Sequence, residues 1–180
     1  MGLEEIGAAY GIEIREPDFF VKTYSLPSPY FEDGPISLFE PNAILRYLMR
    51  SHAPSAYVPQ DVREWALVDQ WMDFEETQLA PAAARIAQHR SNVPAGRQDR
   101  PMLEAESHVL LRALAALDAL LGPKPFLLGR FTLADCTYAM LDILPATQLP
   151  IDHFSAVQDY AQRLLARPAY RRARARLAQG

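Results

Sequence analysis

The stretch that decides the reading of this chain is Ser28–Leu48, SPYFEDGPISLFEPNAILRYL. Pro27 and Pro29 bracket Ser28, just ahead of Tyr30 and Phe31. Asp33-Gly34 then gives a tight-turn signal. Ile36, Leu38 and Phe39 read as the returning strand. Pro41 follows, and Ile44, Leu45, Tyr47 and Leu48 fall on one side of a helix. Proline is favoured at the first helical position because its missing N–H has no intrahelical partner there. The stretch therefore predicts a hairpin that feeds the N-terminus of a helix. Such an end carries outward N–H groups and a partial positive charge, which suit a carboxylate.

Working outward, Gly2 to Tyr10 reads as a brief helical tail, and Tyr10, Ile12 and Ile14 alternate with polar or small residues as in a short strand. Residues 16–27 read as irregular or as a short helix. Downstream, Ser51 to Gln60, with Pro54 and Pro59, is the best linker. Beyond it the pattern is all helical. Asp61 is placed to cap a long helix running to about Arg90, with Trp65, Val68, Trp71, Met72 and Leu79 apolar and Pro81 set to kink it. Leu103, Leu110, Leu114, Leu117 and Leu121 form one stripe, stopped by Gly122-Pro123. Further helices are predicted over 131–144, ended by Pro145, then over 154–166 and 169–178.

Bulk properties narrow the class. The 180 residues are 49% hydrophobic and 22% charged, as in an ordinary globular protein. The net charge of −4 gives no general attraction to nucleic acid. The basic C-terminal end, with Arg163, Arg167, Arg171, Arg172, Arg174 and Arg176, is expected to be solvated or paired with the acidic long helix. The single cysteine, Cys136, excludes an internal disulfide and fits a reducing cytoplasm. Its place in an apolar helix points to a buried, inert thiol. No apolar run approaches the roughly 20 residues needed to span a bilayer, and nothing at the N-terminus reads as a secretory signal. His52, His89, His108 and His153 show no metal-ligand spacing, so no metal is expected. Asp69, Asp73, Glu75 and Glu76 read as a solvated acidic face.

Two phrases carry a resemblance. Phe39-Glu40-Pro41-Asn42-Ala43-Ile44-Leu45 follows the hairpin, and Thr132 with Asp135 forms an S/T-x-x-D capping box within Leu128-Gly129-Arg130-Phe131-Thr132-Leu133-Ala134-Asp135. Both resemble the glutathione S-transferase family, and together they cover nearly all of the chain. The resemblance implies an α/β plus all-α fold. An incomplete, truncated thioredoxin-like domain over 1–53 is followed by a glutathione transferase-type helical domain over 58–180. It also places Trp65, Trp71 and Phe74 on the long helix that in the family lines the electrophile pocket and the dimer interface, where core packing or an interface is the expected role. It implies cofactor-binding positions at Ser28, Pro29, Glu40 and Pro41. Pro29 takes the family's cis-proline place, Ser28 offers its backbone to a peptide-like ligand, and Glu40 and Pro41 stand where an acidic residue and a serine hold the γ-glutamyl end.

The resemblance further implies glutathione as co-substrate, a small electrophile as its partner, a homodimer, and transfer of the glutathione thiolate as the reaction. Two features set this sequence apart. The chain starts within what resembles the family's first helix, so the first strand and the catalytic residue after it are not present, and no catalytic residue is assigned. No remaining residue is a convincing thiolate activator, with Tyr24 or Tyr30 the side chains that could approach the site. A start assigned too late gives the same picture as a shortened domain. Pro41, moreover, supplies neither a hydroxyl nor an N–H. Weak glutathione binding is the expectation, with a non-catalytic interaction module or a small-ligand carrier as the alternative.

Overall fold

The computed structural model describes residues 1–11 and 31–178. By their contacts the residues form two compact units, Met1–Val58 with Pro168–Gly180, and Pro59–Arg167.

In the first unit, α1 (Gly2–Glu5) is shorter than the expected tail. It packs on α2 (Pro41–Ser51), and Gly2 permits the approach, since a Cβ there would lie 2.6 Å from Leu45 Cδ2. The hairpin is present: β1 (Phe31–Asp33) pairs antiparallel with β2 (Ile36–Leu38) in the register Phe31–Leu38, Glu32–Ser37, Asp33–Ile36. Gly34 takes φ 57° at the turn, a conformation that favours glycine. Asp33 does more than turn the chain. Its carboxylate accepts from the Tyr47 hydroxyl at 2.8 Å and lies 2.8 Å from His52 Nε2, so the hairpin tip is tied to the C-terminal end of α2. The Tyr47 hydrogen bond, and then His52, hold this carboxyl below the usual aspartate range. The expected strand through Ile12 and Ile14, and the irregular segment 16–27, lie outside the described residues.

The last helix, α8 (Pro168–Leu177), packs on α1. Here the arginines meet an acid other than the one expected. Arg172 Nε donates to Glu4 Oε2 at 2.6 Å and its Nη2 to the Glu4 carbonyl at 3.1 Å. Arg176 Nε reaches Glu4 Oε1 at 2.9 Å, and the Tyr10 hydroxyl donates to the same oxygen at 2.7 Å. Glu4 is buried, and Arg172 first, then Tyr10, hold its carboxyl below the usual glutamate range.

The second unit is helical. Asp61 caps α3 (Val62–Phe74) by accepting the N–H groups of Arg63 and Glu64 at 2.8 and 2.9 Å. The long helix continues through a π turn (Glu75–Leu79) into α4 (Ala80–Asn92). Pro81 sits just beyond the widened turn, so the irregularity expected from it, a kink, falls where the helix widens. The long α5 (Arg100–Leu121) buries Leu103, Leu110, Leu114, Leu117 and Leu121, the predicted stripe, and Gly122 ends it at φ 49°. Residues Leu133–Ile143 wind more tightly than an α-helix, with three residues per turn, and run into α6 (Leu144–Thr147). Pro145 therefore falls in a first turn, where its missing N–H costs nothing, instead of ending the helix as its position suggested. Finally, α7 (Ser155–Leu165) begins where Val157 N–H donates to Asp118 of α5 at 3.0 Å.

The capping box anchors this unit. Both of its arms are formed. Asp135 is fully buried, and its two oxygens divide four donors. Oδ2 accepts from Thr132 N–H at 2.8 Å and Thr132 Oγ1 at 3.3 Å; Oδ1 accepts from Leu127 N–H at 3.2 Å and Tyr160 Oη at 2.9 Å. Burial pushes the carboxyl up to about 6, against the pull of those donors. Among the described residues, no helix is long and apolar enough to cross a membrane.

Candidate functional site

The joint between β2 and α2 positions the site. Glu40 is the N-cap of α2, and its carbonyl accepts the Ile44 N–H at 3.0 Å, which starts the helix. Its backbone sits at φ 71°, ψ 116°. The ψ is what a residue before proline prefers, since the proline ring excludes the α region. The φ is not: a positive φ in a non-glycine residue costs on the order of 1–3 kcal/mol and persists only where the surroundings impose it. Strand β2 delivers the chain from one side and Pro41 fixes it from the other. The result holds a half-buried carboxylate at the mouth of an 11-residue helix that has no side-chain cap.

Chemically, this arrangement offers one anion and one dipole end. A carboxylate at Glu40 can take an amine, while the first turn of α2 can take a carboxylate, as any uncapped helix start can. Pro41 removes one N–H from that start. The structure thus brings Glu40 and Pro41 together as consecutive residues of the helix start. Ser28 and Pro29, with Tyr24 and Tyr30, lie outside the described residues, as does the inferred cis bond. Among the described residues, no group of three or more His, Cys, Asp or Glu could hold a metal ion.

On the long helix, Trp71 is buried against Phe74 and Tyr138, with ring centroids 6.0 and 6.4 Å apart, as core packing requires. Cys136 is buried as well. The acidic stretch departs from its expectation. Asp73 and Glu76 face solvent, but Glu75 is only 7% exposed. Burial first, then the charge of Glu76, pushes its carboxyl up to about 7. Four acids within eight residues read as one wet face only if the helix keeps its period, and the π turn at Glu75 breaks it. The partners of Asp135 were also hidden, because Leu127 and Tyr160 lie outside the local motif that marks the box.

A turn-linked strand pair that feeds a helix start, followed by helices around a buried capping box, is the arrangement that the resemblance to the glutathione transferases implies. Comparison with known proteins agrees. Glutathione S-transferase 4 of Zea mays is 30% identical, over 94% of this chain and 82% of its own. The theta class glutathione S-transferase of Xanthomonas axonopodis pv. citri, solved with glutathione bound, superposes with a TM-score of 0.78 at 32% identity, covering 95% of this chain and 86% of that one. Elongation factor 1-gamma of Prunus avium is 31% identical over 90% of this chain, which spans 39% of that protein. No family model matches. The chain belongs to the glutathione S-transferase family.

Proposed function

We propose that the chain binds glutathione at the β2–α2 joint and presents its thiol to a small electrophile, with an affinity reduced by Pro41. In this reading Glu40 takes the glutamyl amine and the first turn of α2 takes the glutamyl carboxylate. Ser28 and Pro29 present backbone to the cysteinyl part. The strained φ of Glu40 is the observation that carries the reading, because such a conformation is held where a ligand is clamped. The bound glutathione of the Xanthomonas relative supports it. The protein works as a homodimer in the reducing cytoplasm, without a metal; the exposed Ile36 and Phe39 of the hairpin segment leave apolar area for a second copy.

A second reading, a module for assembly rather than catalysis, is favoured by Pro41 and by the elongation factor relative. Titration calorimetry with glutathione tests the first. A lost hydrogen bond to a charged group is worth about 1.5–3 kcal/mol, or roughly ten- to a hundred-fold in Kd. The wild type is expected to bind in the millimolar range and Pro41→Ser to bind that much more tightly. Micromolar binding by the wild type refutes the role given to Pro41. Absence of binding by both proteins refutes the site and leaves the module. An assay of a general electrophile with glutathione, showing a rate above background for Pro41→Ser, then establishes transfer.

A further inference from the structure

The last turn of α4 holds an arginine that the fold leaves incompletely satisfied. Arg90 is half-buried there. Its Nη1 donates to Gln148 Oε1 at 3.4 Å, a long contact to a neutral acceptor. Its Nε is shut off from water and has no hydrogen-bond partner among the described residues. Among those residues no carboxylate pairs with the guanidinium. Basic side chains near a helix C-terminus often bind the last carbonyls, but the Val93 carbonyl just beyond this end takes Gln98 Nε2 at 3.0 Å instead. A buried donor without an acceptor is rare in a folded chain, and it marks a place where a further group fits.

The same arginine lines an open cleft of about 440 Å³, inside the roughly 300–1,000 Å³ range of small-molecule sites. The cleft belongs to the second unit and lies between the end of α4, the loop 93–98 and Gln148. Gln148 follows α6 in a left-handed conformation, at φ 54°. Val93, Pro94 and Ala95 supply apolar wall, Gln98 and Gln148 supply amides, and among the described residues no acid lines the cleft. Asp99, the next acid along the chain, is committed to capping α5 through the Met102 N–H at 3.0 Å. The loop is pinned at both ends. The Arg97 N–H donates to the Pro94 carbonyl at 2.8 Å, and the Asp99 N–H donates to His89 Nε2 at 2.9 Å. The wall is therefore formed before any ligand arrives, so little ordering entropy opposes binding.

We propose that this cleft binds a small organic monocarboxylate. A guanidinium offers a planar fork that matches the two oxygens of a carboxylate. One positive charge among neutral amides balances one negative charge, which favours a carboxylate over a phosphate dianion. The incoming carboxylate displaces the long contact to Gln148 and draws the guanidinium toward the cleft. The Nε–H and one Nη–H then donate to its two oxygens, and the freed Gln148 amide can donate to the same group. The apolar body of the ligand rests on Val93, Pro94 and Ala95. Occupation of this cleft does not depend on glutathione at the β2–α2 joint.

Nitrogen-15 NMR of the intact chain tests the cleft, because the Arg90 Nε–H gives a resonance of its own. Sodium benzoate, sodium phosphate and sodium chloride are titrated separately at matched ionic strength, without glutathione. Benzoate is expected to shift the Arg90 Nε–H, the Gln148 side-chain amide and the backbone amides of 93–98 together and saturably. A Kd in the millimolar range is what one charge-assisted fork in an open cleft supports. Arg90→Lys keeps the charge without the fork, and the amides of 93–98 should report binding at least about tenfold weaker. Benzoate that leaves the wild-type Arg90 Nε–H unmoved, or that binds Arg90→Lys as tightly as the wild type, overturns the proposal. Shifts confined to residues 40–44 report the β2–α2 joint and likewise end the case for the cleft. An equal response to phosphate or chloride shows an adventitious ion only, and overturns the assignment to carboxylates.

Discussion

Removing the carboxyl of Asp135 isolates what the capping box contributes. In Asp135→Ala, three donors lose their acceptor inside the helical unit: Leu127 N–H, Thr132 N–H and Tyr160 O–H. The Thr132 hydroxyl, the fourth, can rotate to another acceptor. Each buried donor left unpaired costs about 1–3 kcal/mol. Against this stands the relief of a carboxylate that burial has already pushed up to about 6. The balance predicts a loss of about 4 kcal/mol, within the range for a broken buried network. Asp135→Asn separates the two oxygens. Its amide oxygen can still serve Leu127 and Tyr160, but its NH2 then faces the Thr132 N–H, donor against donor. That variant should lose about 2 kcal/mol. Tyr160→Phe removes one bond to a charged acceptor and should lose about 1.5–3 kcal/mol. In the double variant Asp135→Ala with Tyr160→Phe, the losses should fall short of additive, since both remove one contact. Urea unfolding followed by tryptophan fluorescence reads this unit directly, because Trp65 and Trp71 both lie in it. A loss below about 1 kcal/mol for Asp135→Ala would show that water replaces the carboxyl freely, and would refute the account of the box as the unit's anchor.

Other outcomes follow from the same carboxyls. Glu75 and Asp135 both bind protons more tightly folded than unfolded, with folded values of about 7 and about 6. Their contribution is complete below the ordinary carboxylate range and is lost as pH rises through those values, so unfolding free energy should fall between pH 4.5 and 7. For Glu75 the upper limit is about 3 kcal/mol, and Glu75→Gln should flatten that part of the curve in urea titrations at pH 5, 6, 7 and 8. Glu4 has the opposite sign: Arg172 and Tyr10 lower its value, so its contribution is present above the ordinary range and lost as pH falls. Together these signs put the stability maximum in mildly acidic solution. Glu4→Gln should cost about 1–2 kcal/mol, since both arginines are half exposed, and should speed proteolysis of the first ten residues in a timed digest. An unchanged digest would show that the arginine clasp holds nothing.

What could be read from the sequence was local. Asp61 announces a helix start by its place before an apolar period, and Thr132 announces another because both arms of its box lie within four residues. The leucine stripe of α5 needs only a constant period. Glu40 and Pro41 were legible as a helix start for the same reason. The φ of Glu40 was not, because Pro41 constrains only ψ, while the sign of φ comes from how β2 meets α2. Long-range pairing was equally silent. Glu4 finds Arg172 across 168 positions, and Tyr160 finds Asp135 across 25. Glu75 is hidden for a further reason: the nearest acids, Asp73 and Glu76, are exposed, and the widened turn, beside which the Tyr138 hydroxyl donates to the Trp71 carbonyl, breaks the period that would group it with them.

In the proposed reading the two ends of the site obey different rules: Pro41 shapes the joint while removing a donor from it. A serine at the helix start would supply a hydroxyl and an N–H but would leave the preceding residue free to enter the α region. Proline supplies neither donor, yet it bars Glu40 from that region and presets its own φ for the helix. The strained acid is therefore held more firmly in this chain than a serine would hold it, at the moment when the groups beside it can bind least. Geometry and affinity come apart at a single residue. Restoring the serine should thus raise affinity through donors while relaxing Glu40. If both proteins bind glutathione and Pro41→Ser binds no better than the wild type, the strain at Glu40, rather than the missing donors, governs recognition at this joint.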